Sequence, residues 1–200
     1  MAVADILVSP VNIWQSPTGT ALPDETTVAF GAAWGAGWVS LGYTTAPLAM
    51  KYDTSLFELE LEQITSPVKG QKTKETLSLE TTLAELTATN LKLAIGSTST
   101  ITTTAAGASQ HGYEEVNMGG EAILPEYQFG FEGYTLDSSN RQLPLRLFIY
   151  RCTFSLGGSL EFSKKAAAGI PIKITAWADT SKTIGQQLFK LQRVTAWKTS

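Results

Sequence analysis

The sequence holds one cysteine, Cys152, and one histidine, His111. A single thiol cannot close an intramolecular disulfide, so no covalent framework is expected and a reducing compartment suits the chain. Zinc sites and Cys/His sites built from two or more such ligands are excluded within one chain. A Ser-His-Asp arrangement would have to use His111, which lies in the least patterned stretch and reads as a loop residue. Cys152 falls in a strand-like run and reads as a small core residue rather than a nucleophile. Charge is also scarce. Charged residues make up 16% of the chain and sum to a net −3, which gives no overall basic footprint for nucleic acid. No enzyme and no cofactor is expected.

Long hydrophobic runs are missing too. Residues 26–50 carry no charge, but Gly31, Gly35, Gly37, Gly42 and Pro47 interrupt them, so they make a poor membrane span. The opening MAVADILVSP has Asp5 where an export signal would carry Lys or Arg, and Ser9-Pro10 ends its apolar stretch; no export signal is expected. The glycines from Gly31 to Gly37 lack both the Lys-Ser/Thr of a phosphate loop and the strand-to-helix setting of a dinucleotide site.

What is present points to strands. A hydrophobic content of 43%, with 17 glycines, 8 prolines and many Thr and Val residues, predicts a mainly β chain forming one domain over residues 1–200. Strands are predicted at 11–14, 38–43, 127–132, 143–154, 159–162, 170–177 and 187–194. Thr87 reads as an N-cap and Gly96 as the residue just past the end of a short helix, with an earlier start at Thr82 and Glu85 as the alternative. Residues 97–122, rich in Thr, Ser, Ala and Gly, read as an irregular loop or a variable hairpin.

The most regular segment is FELELEQITSPVKGQKTKETLSL, within a hairpin arm placed at about 50–83. Phe57, Leu59 and Leu61 alternate with Glu58, Glu60 and Glu62, and Leu77 and Leu79 keep the same beat on the return. Matching apolar with apolar predicts Leu59 opposite Leu77, Phe57 opposite Leu79 and Glu62 opposite Lys74, with the turn in the Ser-Pro-Val-Lys-Gly stretch. Alternate strand residues stand about 6–7 Å apart, too far for the three glutamates to share one metal ion easily. They read as a solvated face or as a surface shared between subunits. Trp34 and Trp38 are close enough in sequence to offer a stacking platform, which keeps a carbohydrate-binding β-sandwich open as an alternative.

Taken in order, PTGTALP (17–23), WVSLGYT (38–44), the long hairpin, NLKLAIG (90–96) and the ending from Phe162 through GIPIKITAWAD resemble the major tail tube proteins of long, non-contractile-tailed bacteriophages. The resemblance covers most of the chain. It implies a β-sandwich or small β-barrel with a flanking helix, assembled as hexameric rings stacked into a hollow tube for genome delivery. A tail terminator or other single-ring tail protein is the alternative within the same machinery. The implied partners are further copies of the chain, the tape measure protein, and the terminator and tail-tip proteins. DNA would pass through the lumen without specific binding, and no membrane is involved. The setting would be the virion, with assembly in the host cytoplasm. On this reading Glu58, Glu60 and Glu62 face the lumen, while Phe57, Leu59, Leu61, Leu77 and Leu79 form the hairpin's core or interface side. Thr65, Ser66, Pro67, Val68, Lys69, Gly70, Gln71 and Lys72 form a loop reaching the neighbouring ring.

Overall fold

The computed structural model describes residues 10–35, 37–137, 139–163 and 168–197. Along them run β1 (Asn12–Pro17), β2 (Val39–Ser40), β3 (Ala49–Leu61), β4 (Ile64–Leu83), α1 (Ala88–Ile95), β5 (Thr102–Thr104), β6 (Tyr113–Glu115), β7 (Tyr127–Leu136), β8 (Gln142–Leu156), β9 (Ile170–Ala176) and β10 (Phe189–Arg193). The protein is mainly β with one short helix, as its composition predicts. The strand predicted at 159–162 does not form, and 97–122 contains only the small β5–β6 hairpin.

All pairings are antiparallel, in the order β2-β1-β7-β8-β9-β4-β3, with β10 also on β8. The two ends of this path do not meet, so the sheet is open and no barrel closes. β8 joins its halves. Leu145–Ile149 lie against β10, and Cys152–Leu156 lie against β9. The two halves enclose one core in the manner of a β-sandwich. Ile13, Phe129, Leu147 and Ile149 come from one side; Leu77, Leu79, Leu83, Ile170, Ile172 and Ile174 come from the other.

α1 covers an end of this core with Leu93 and Ala94. Its boundaries follow from local chemistry. The Thr87 hydroxyl accepts the Asn90 amide at 3.1 Å, and Gly96 takes φ 74°, which closes the C-terminus at little steric cost. The earlier start is ruled out because Thr82 lies in β4.

Successive strand residues face opposite ways, so β1, β7 and β8 have a second apolar face. The segment between β1 and β2 covers it. Trp14, Trp34, Trp38 and Phe148 are all buried there, and the Trp14 and Trp34 rings stack at 4.1 Å. Gly130 is required beneath them, since a Cβ at that position would come within 2.5 Å of the Trp34 ring. On the same face Arg146 and Glu132 are cross-strand partners joined at 2.7 Å and almost fully buried. The second Glu132 oxygen accepts the Gly31 amide at 3.0 Å, and Arg146 donates to the Val28 carbonyl at 2.7 Å. The pair therefore ties the covering segment to the sheet.

Candidate functional site

Among the described residues the β3–β4 ribbon is a long feature left without cover. β4 runs for 20 residues, but only Ser78–Leu83 pair with β9; from Ile64 to Thr76 it has β3 on one edge and, among the described residues, no strand on the other. Among the described residues β3 has no neighbour on its outer edge, and all 13 of its residues are exposed. Counted along β3 from Asp53 to the turn, the ribbon projects about 27 Å at about 3.4 Å per residue. We call this part the arm.

Its register differs from the one that apolar matching predicts. Leu77 pairs with Tyr52, Leu79 with Met50, and Lys74 with Ser55. The chain reverses at Glu62-Gln63, between the paired Leu61 and Ile64, and not at Ser-Pro-Val-Lys-Gly. Residues 65–72 accordingly belong to β4 and form no loop. Two irregularities explain the difference. Between Leu59↔Lys69 and Leu61↔Ile64, Glu60 alone spans Thr65, Ser66, Pro67 and Val68, a bulge that accommodates a proline with no amide to donate. Nearer the body, Thr73 is an extra residue between Ser55↔Lys74 and Leu56↔Lys72.

That extra residue decides which way the side chains point, because directly paired residues share a face. Met50 and Tyr52 lie on the core side with Leu79 and Leu77; Leu56, Glu58, Gly70 and Lys72 continue that side. Contacts agree: Tyr52 Oη donates to Glu75 at 2.6 Å, and Lys72 Nζ donates to both at 2.9 and 2.8 Å. The hydrogen bond from Lys72 holds the Glu75 carboxyl below its usual range, assisted by Tyr52. Phe57, Leu59, Ser55, Gln71, Lys69 and Lys74 take the opposite side.

Of the five residues assigned to the hairpin's core or interface side, Leu77 and Leu79 are buried in the body. Phe57, Leu59 and Leu61 are 57%, 43% and 44% exposed on the arm, so they do not pack on the chain's own core. Leu56, Ile64 and Val68 add to the exposed apolar surface, a set the alternation of β3 alone did not bring out. Glu58, Glu60 and Glu62 are exposed and have no ion-pair partner among the described residues.

The other sequence candidates fall away from any site. Trp34 and Trp38 are 2% and 8% exposed, so they are core rings and offer no platform for a sugar. His111 lies exposed in the β5–β6 connection. Cys152 is fully buried, and burial pushes its thiol well above the usual range. Among the described residues no group of three or more His, Cys, Asp or Glu side chains is placed to hold a metal ion.

The class defined by these features is a mainly β structural protein with an open sheet and a long apolar ribbon left for contacts outside the chain. Residues 5–192 match the family model described as phage tail tube protein, and the chain belongs to that family. It is a structural component of the virion. No curated protein matches the chain.

Proposed function

We propose that the chain assembles into hexameric rings that stack as the hollow tail tube through which the genome is delivered. The observation that carries this reading is the arm. A ribbon with two open edges and Phe57, Leu59 and Leu61 facing water is a liability in a monomer, and it is covered only when copies associate. A closed ring lets each subunit's free edge pair with its neighbour, leaving no unpaired end. The arm's apolar side packs on a subunit of the adjacent ring. The glutamate side, with Glu58 and Glu60 and with Glu62 at the turn, then faces the channel. Residues 65–72 contact the neighbouring ring as part of a bulged strand.

A carboxylate wall suits a conduit. Basic groups that neutralise phosphates add salt-dependent attraction, which would slow passage, whereas carboxylates repel DNA only within about 8 Å at physiological salt. Within the tube sits the tape measure protein during assembly, and the terminator and tail-tip proteins cap its ends. Folding in the host cytoplasm precedes incorporation into the virion.

The test is negative-stain electron microscopy with light scattering over a concentration series, with and without tail-tip proteins. Hollow tubes of uniform diameter with six-fold end views are expected. Single rings that never stack would instead favour a terminator, and a chain that stays monomeric even with tail-tip proteins would sink the reading.

A further inference from the structure

The strands that carry the arm end, in the other direction, in a second exposed apolar surface. β4 stops at Leu83, which is bridged to Thr44, and the Ala84 amide donates to the Tyr43 carbonyl at 2.8 Å. Leu86 follows two residues later. β8 stops at Leu156, paired with Ile172, while Leu83 is paired with Ile170, so both strand ends lie at one end of the sheet. The connection leaving Leu156 carries Phe162. Tyr43 and Phe162 are 78% and 73% exposed, and Leu86 and Leu156 are 44% and 40% exposed. Glu85 and Glu161 are exposed beside them, without ion-pair partners among the described residues.

We propose that this far end, built from Tyr43, Leu86, Leu156 and Phe162, is the surface that receives the arm of a second copy of the chain in the adjacent ring. The inference rests on the tube reading and adds the acceptor, which the arm alone does not identify. The occupant is another copy because arm and acceptor sit at opposite ends of the same strand pair. A translation along the strands therefore brings one copy's arm to the next copy's far end. The chemistry also matches. The arm side bearing Phe57 and Leu59 carries Lys69 and Lys74, which have no ion-pair partner among the described residues, and the acceptor carries the exposed Glu85 next to Leu86. Each copy holds one donor and one acceptor on non-overlapping surfaces. Such a contact is heterologous and propagates without closing, as axial growth of a tube requires.

A cysteine pair tests this directly. Chains with Leu59→Cys and Phe162→Cys are assembled into tubes and treated with a short bismaleimide; Cys152 is buried and gives little background. The two sites lie at opposite ends of one chain, so a link must join two copies. A ladder of covalent multimers beyond the dimer is expected, and neither single variant should give it. A second arm of the experiment uses Tyr43→Glu with Phe162→Glu, both at exposed positions. These chains are expected to keep the wild-type melting temperature and ring formation but lose stacking. Mixed with Leu59→Glu chains they should form stacks that stop after one axial contact. Tubes that form without the ladder, or acceptor variants that stack like wild type, overturn the receiving surface and leave the tube reading intact. A wild-type chain that never assembles removes both.

Discussion

Arg146 and Glu132 show what a single position can hold in this chain. The guanidinium is 1% exposed, yet nothing in the run LPLRLFIY marks it as buried. The pair is not legible in the sequence, because its cover comes from Val28 and Gly31, more than 100 residues away from their partners. Arg146→Ala is expected to cost about 3–5 kcal/mol in chemical denaturation, since it leaves the Glu132 carboxylate buried without its partner. Replacing both, as Arg146→Met with Glu132→Leu, should recover part of that loss; a double variant as unstable as the single one would show that the pair's charge is not the issue. Gly130 gives a steric counterpart. Gly130→Ala drives a methyl toward the Trp34 ring and should cost about 1–3 kcal/mol, with a change in tryptophan fluorescence as Trp34 moves off Trp14.

At the scale of the element, the helix and the arm make opposite cases. α1 is legible because its signals are local: a Thr whose hydroxyl caps the first turn and a Gly whose backbone ends the last. Thr87→Ala should cost about 1 kcal/mol, read as a lower denaturation midpoint with unchanged cooperativity. The arm's alternation is equally local, but its register is not. The turn at Glu62-Gln63 has neither Gly nor Asn to announce it, and the bulge around Pro67 resembles a turn in sequence. The apolar residues therefore look like core in sequence and are surface in the folded chain. Leu59→Glu separates the two. It should leave the melting temperature of the monomer within about a degree of wild type, because surface changes are usually within about 0.5 kcal/mol, while its rings no longer stack into tubes. A large fall in monomer stability would return Leu59 to the chain's own core.

For the whole molecule, the open sheet, the long ribbon and the apolar far end present surfaces that the described residues of the chain leave uncovered. Replacing Glu58, Glu60 and Glu62 by Gln should leave tubes of unchanged diameter in electron micrographs, because on this account the carboxylates face the channel and hold no subunit together. Loss of tubes would place them in an interface instead. By itself the sequence determined the class of fold, the helix with both caps and most strand positions. It also carried the family resemblance, because these rest on neighbouring residues: alternation, turns, caps and an ordered set of short motifs. Only the tertiary structure decided the side to which Phe57, Leu59 and Leu61 turn, the burial of Trp34 and Trp38, and the ion pair beneath Val28. One extra residue at Thr73 turns β4 from Lys72 to Lys69 over relative to the core, so that Gln71 and Lys69 share the outward face with Phe57 and Leu59, and burial depends on which distant segment arrives as cover. Local pattern carries neither quantity.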